Sequence, residues 1–184
     1  KASFMDPETS AFSLNSYQTF FKYPYYLRCL RNSLFVSALA TAFALAIGIP
    51  FAFFLSRYDL PGKDVIKTLG TLPLILPTFI GAEAWIMLLG RNGLLANTLA
   101  RFGLESPTIY GWKGIVLVYT LQFFPYVFLM VSSAVNAIDR SLEEAATSLG
   151  ASRLRAFFTV TLPLVTPAIL SGALVVFYLS IENF

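Results

Sequence analysis

Residues 33–56 read SLFVSALATAFALAIGIPFAFFLS, an interval without a single charged side chain. About 20 apolar residues in a helix cross a hydrocarbon core, and an open strand edge in lipid would leave backbone groups unpaired, so this stretch reads as a membrane-spanning helix. Ala38, Ala42 and Ala46 recur in it at a four-residue step that would let a neighbouring helix approach closely. Working outward, a second span lies at 68–90, between Lys67 and Arg91, and holds Pro73, Pro77, Gly81 and the single carboxylate Glu83; its first half should be kinked or unwound. A third charge-free interval, 114–138, contains Gln122 and Pro125. A fourth span, 162–181, carries Ala168 and Gly172 as a small-residue pair.

Composition agrees with this patterning. Hydrophobic residues make up 57% of the chain and charged residues 12%, against about 25% charged in soluble domains, and mean hydropathy is +0.69. The expected fold is therefore all-α: a polytopic membrane helix bundle, treated as one domain over 1–184. The formal charge of +3 comes from basic residues scattered through every polar segment, with no stripe of the kind that binds nucleic acid. Cys29 is the only cysteine and there is no histidine, so no metal site, disulfide or imidazole chemistry is read from the chain. The first thirty residues lack the pattern of a signal peptide, and an apolar run reaching Phe184 suggests that further helices flank the chain.

The interval 139–161 differs from an ordinary connector. Ser141-Leu142-Glu143-Glu144 has the form of a capping box, with Ser141 as N-cap and Glu144 three residues on. Leu142, Ala145, Ala146 and Leu149 follow at helical spacing as one small apolar face, and Gly150 stands where a left-handed residue would end the helix. Ser152 can cap a second helix whose apolar face is Leu154, Phe157 and Phe158 and whose basic residues are Arg153 and Arg155. The segment reads as a helix-turn-helix outside the bilayer. From periodicity alone it could equally be an amphipathic helix lying on the membrane surface.

Glu144-Ala145-Ala146, three residues, Gly150, nine residues and then Val160-Thr161-Leu162-Pro163 resembles the EAA loop of permeases of binding-protein-dependent ABC importers, which reads E-A-A, three residues, G, nine residues, I-x-L-P. Val160 in place of Ile is the one departure. The likeness extends from Asn32-Ser33-Leu34 through the stretch from Arg57 to Lys63 and Leu72-Pro73-Leu74 with Pro77 to the end of the chain. It implies that 139–161 is a cytoplasmic coupling loop, in which Glu144, Ala145, Ala146, Gly150, Leu162 and Pro163 meet an ATP-binding subunit. It further implies a core of about six helices, a multi-pass place in a bacterial inner membrane among lipid, a substrate-binding protein outside and a second permease subunit or half.

Lys and Arg do not orient the chain. Arg57, Lys63, Lys67, Arg140, Arg153 and Arg155 fall on one side, and Lys1, Lys22, Arg28, Arg31, Arg91, Arg101 and Lys113 on the other. No phosphate-binding loop is present, since Gly62-Lys63 is followed by Asp64; the resemblance places ATP and Mg²⁺ on the partner ATPase, leaving this chain a transport subunit with no enzyme activity. The ending Tyr178 to Phe184 is similar to the ferric-iron branch, with polyamine, phosphonate and thiamine importers beside it. An ion-coupled secondary transporter would also have proline-broken helices and an intramembrane carboxylate, but gives no reason for the 144–163 pattern. Taken with the family orientation, Glu83 and Gln122 share a depth and are expected to face the translocation pathway.

Overall fold

The computed structural model describes residues 20–58, 60–90, 93, 97, 98, 102 and 110–183. Lys1, Arg91, Arg101, Asp59 and Phe184 lie outside these residues. Helix α1 runs Pro24–Arg57, α2 Lys63–Thr71 and α3 Thr78–Leu89, with a 3-10 turn at Leu72–Leu74 between the last two. Helix α4 covers Trp112–Ala137, α5 Arg140–Ser148, α6 Arg153–Ala156 and α7 Leu162–Glu182, and a π turn at Phe157–Thr161 joins α6 to α7. Among the described residues, three stretches are long and apolar enough to cross a bilayer: Pro24–Arg57, Trp112–Ala137 and Arg153–Glu182. The α2–α3 pair, bent by 107°, makes a fourth if it is one broken span.

Contacts divide the chain after Phe35. In the first unit, Phe20 stacks on Tyr26 with ring centroids 5.6 Å apart, and Tyr23 and Tyr25 meet Tyr26 edge-on. At 34 residues and 1.5 Å each, α1 is about 50 Å long, well beyond a core of about 30 Å. The expected start at Ser33 was set by Arg28 and Arg31, but charges do not stop a helix once it has left the hydrocarbon.

The second unit packs around α4. Val127 is fully buried between two glycines: a Cβ on Gly48 of α1 would stand 2.8 Å from Val127 Cβ, and one on Gly172 of α7 would stand 3.2 Å from Val127 Cα. With lipid tails as apolar as leucine, close van der Waals approach at small residues is what draws such helices together. The contacting face of α1 is Ala40, Ala44, Gly48 and Ala52. This corrects the expected Ala38, Ala42 and Ala46, which are exposed. Lower in the same packing, Ser56 and Ser132 share a buried hydrogen bond of 3.0 Å.

Two other expectations change. The span at 68–90 is interrupted where Pro73 and Pro77 stand, as anticipated, but it begins at Lys63. The second loop helix and the last span, expected as separate elements, form one continuous 30-residue helix over Arg153–Glu182. Pro163 has no N–H and its ring crowds the carbonyl of Thr159; widening the preceding turn, with Leu162 N–H donating to Phe157 O five residues back, accommodates the ring without breaking the helix.

Candidate functional site

The end of α1 and the loop helix α5 meet at one pole of the bundle. Arg57 Nη2 donates to Glu143 Oε1, and the Thr161 hydroxyl of the π turn donates to the same oxygen. Arg57 and Glu143 side chains are 20% and 30% exposed, and Thr161 is fully buried. Three elements are thus tied through one carboxylate. At the opposite pole, Tyr119 OH near the start of α4 donates to Asn183 O at the end of α7 at 2.7 Å.

Helix α5 begins differently from expectation. Its N-cap is Asp139, whose carboxylate accepts from Ser141 N–H at 2.9 Å; Ser141 is one residue inside the helix, and Glu144 is too far along to close a capping box. Both Asp and Ser can cap, and the extended backbone at Asp139 gives it the role. The Ser141 backbone N–H, and after it the Ser141 hydroxyl, holds the Asp139 carboxyl below the usual carboxylate range. A depressed pKa means that the cap contributes stability above an unfolded value of roughly 3.9 and loses it as pH falls through the folded value. Asp139→Ala is expected to speed amide exchange at residues 141–143, Asp139→Asn much less, and Ser141→Ala hardly at all. A larger effect at Ser141 than at Asp139 would return the cap to Ser141.

The far end follows the expected pattern. Gly150 has φ +89°, its N–H bonds Thr147 O, and Ala151 N–H reaches back to Ala146 O, the pair of bonds that closes a helix around a left-handed residue. Ser152 caps α6 by accepting from Arg155 N–H at 3.3 Å. A β-branched side chain at Gly150 costs roughly 1–2 kcal/mol for the left-handed backbone and would redirect α5 against α6. Gly150→Val should therefore speed amide exchange at residues 147–151; unchanged exchange would mean that the bend tolerates a side chain.

Helix α5 turns its half-buried Glu143 and Ala146 toward the bundle. Leu142, Ala145 and Leu149 face outward, Leu149 at 90% exposure, joined by Leu154 at 69% on α6. The expected apolar face Leu142, Ala145, Ala146 and Leu149 is therefore split. Of the second face, only Phe157 packs inward, edge-on to Phe53 at 5.0 Å, while Leu154 and Phe158 are exposed. Glu144 is exposed and its carboxylate makes no hydrogen bond or ion pair among the described residues; with Arg140 and Arg153 it borders a groove of about 460 Å³ beside Arg57. Leu162 is half-buried against the core and Pro163 exposed.

Glu83 and Gln122 stand in different surroundings. Glu83 is exposed on α3, beside Ala82, which with Trp85 and Tyr119 lines a cavity of about 430 Å³. Gln122 is nearly buried, and its amide nitrogen donates to Pro73 O and to Leu76 O. The broken span takes up both of its amide protons.

Sequence reasoning missed Arg57, Glu143, Thr161 and Asp139. Asp139 could have been found, since it is itself a capping residue type two positions before Ser141. Arg57 and Glu143 are 86 residues apart, and no local pattern links them.

Residues 30–184 match the family described as binding-protein-dependent transport system inner membrane component. The chain is 38% identical over 153 residues to the molybdenum transport system permease protein ModB of Escherichia coli K12, covering 83% of this chain and 66% of that one. It is 31% identical over 162 residues to the ferric transport system permease protein FbpB of Actinobacillus pleuropneumoniae, covering 87% and 24%. It therefore spans slightly under two thirds of the first relative and about a quarter of the second. A crystal structure of a bacterial ABC transporter that imports the acidic polysaccharide alginate superposes over 92% of this chain and 62% of that one, with a TM-score of 0.76 at 20% identity. With most of its length matched by the family and its helices arranged as in a solved transporter, this multi-pass chain belongs to the binding-protein-dependent transport system inner membrane components.

Proposed function

We propose that this chain forms the membrane-spanning part of an ATP-driven importer and receives the work of a separate ATPase at α5 and α6. The carrying observation is the outward apolar face of Leu142, Leu149 and Leu154 on the α5–α6 segment, which Glu143 fastens to α1 and to the π turn that leads into α7. An exposed apolar patch at the pole of a helix bundle suits a protein partner, and a partner that pushes on α5 moves the bundle through the Glu143 contacts. Glu144, with Arg140 and Arg153, offers charges at the rim of the same face. A binding protein delivers cargo at the opposite pole, near Tyr119 and Asn183, and a second permease subunit or half closes the route.

For the cargo we favour a small inorganic oxyanion of the molybdate type. The support is the 38% identity to a molybdenum permease, matched over about two thirds of its length. Ferric iron is the second reading, supported by the 31% identity to a ferric permease and by the exposed carboxylate of Glu83, which suits a cation. Uptake of radiolabelled molybdate and of ferric iron by cells carrying the whole transporter separates the two. ATP-dependent molybdate uptake that ferric iron does not compete with is expected; iron uptake lost in Glu83→Leu would reverse the assignment. Uptake driven by an ion gradient and indifferent to ATP would remove the importer reading itself.

A further inference from the structure

The break in the second span leaves the carbonyls of Pro73 and Leu76 without helical partners, and one side chain reaches both. In an unbroken helix, Pro73 O would accept from residue 77 and Leu76 O from residue 80. Residue 77 is a proline and has no N–H, and Ile80 N–H bonds Pro77 O instead, at 3.0 Å. The Gln122 amide nitrogen supplies both missing donors, to Pro73 O and, at 2.8 Å, to Leu76 O. Only the NH₂ end of a carboxamide can meet two carbonyls, so the pairing fixes which way the side chain faces. Gly81 completes the seat, because a Cβ there would stand 3.0 Å from Gln122 Oε1.

The other side of the break is open: Ile75 is 77% exposed, Leu76 49% and Phe79 69%. Irregular backbone at membrane depth does not survive against lipid; it persists under protein or beside a water-filled cavity. Apolar side chains standing on such a break form a constriction that small displacements open or close. Gln122 belongs to α4, which ends at Ala137, with Ile138 alone between it and the Asp139 cap of α5. One helix therefore joins the ATPase-facing loop to the break.

We propose that Gln122 is a positioning residue for the translocation route: by holding Pro73 and Leu76 from α4 it sets Ile75, Leu76 and Phe79 as an apolar gate and passes the movement of α5 to them. This rests on the importer reading and adds to it a gate and a residue that governs the gate without touching cargo.

The test uses the assembled transporter, with its ATPase and binding protein, in proteoliposomes. Exposed Cys29 is replaced in Cys29→Ser, Ile75→Cys is the reporter, and a charged, water-soluble maleimide is the probe. Labelling should differ between nucleotide-free and ATP-bound states, and hydrolysis should depend on the binding protein. Gln122→Leu should abolish that difference, raise labelling in the closed state by roughly three- to tenfold and release hydrolysis from the binding protein. Gln122→Glu, which keeps the size but sets an acceptor against two carbonyls, should do the same. Pro77→Ala, which returns an N–H to Pro73 O, should partly restore gating in the Gln122→Leu background.

A Gln122→Leu complex that forms in reduced amount but keeps the wild-type labelling difference would make the residue merely structural and overturn the proposal. If that variant does not assemble, Gly81→Ala decides, since it keeps both donors and presses only on Oε1; unchanged labelling there also overturns it. A wild-type complex that hydrolyses ATP under control of a binding protein yet labels alike in both states sinks the gate alone. Hydrolysis that ignores every binding protein strikes at the importer reading instead.

Discussion

Gly48→Val should leave little correctly folded protein in the membrane. The first added carbon would already stand 2.8 Å from Val127 Cβ and 3.0 Å from the Phe124 carbonyl oxygen, and neither is the movable end of a flexible side chain. Overpacking a tight core costs about 1–3 kcal/mol, and this contact belongs at the upper end because α1 and α4 must separate as whole helices. Ala42→Val, on the exposed face of α1, adds similar volume and should cost almost nothing. Thermal unfolding of the two variants in detergent gives the comparison. Equal midpoints would mean that α1 does not pack on α4 through Gly48.

The second large effect is expected at Glu143. Glu143→Leu strands the Arg57 guanidinium, which is only a fifth exposed, and leaves the fully buried Thr161 hydroxyl without an acceptor. Removing one partner of a part-buried hydrogen-bonded pair costs about 1–3 kcal/mol, reduced somewhat here because solvent reaches both charged groups. Glu144→Leu, by contrast, should leave the fold intact. The double variant Arg57→Leu with Glu143→Leu should recover part of the single loss, since no uncompensated charge remains. If the single and double variants unfold alike, the ion pair contributes nothing and the fastening of α5 lies elsewhere.

These two contacts mark where the sequence could and could not be read. The spans were legible because charge-free runs of this length have few other readings, and the break in the second was legible because Pro73 and Pro77 each remove a backbone donor. The close of α5 at Gly150 and the cap at Ser152 were equally plain, since both are decided within a few residues. Which face of α1 packs inward was not: alanines stand at 38, 40, 42, 44 and 46, so small-residue series at a four-residue step run down more than one face. Because lipid is as apolar as the bundle interior, hydropathy does not choose between them. The choice is made by Val127, far along the chain. Gln122 was expected to face the pathway beside Glu83, and nothing in its own helix shows that its partners are backbone carbonyls freed by a proline in another helix. Glu143 and Glu144 are adjacent and chemically alike; only the third dimension gives one of them an arginine.

The stack of Gly48, Val127 and Gly172 also constrains how this protein can change over generations. One residue sets the spacing of three helices, so a gain of volume at one of the three positions must be met by a loss at another. An alanine arriving first at Gly48 meets Val127 and is disfavoured, whereas the same alanine arriving after Val127→Ala finds the space already vacated. Val127→Ala by itself opens a void that the first step must carry until the second fills it. Accepted substitutions at these sites are therefore expected in pairs and in a preferred order, so that relatives should trade bulk between α4 and its two neighbours while the distance between the helices stays fixed.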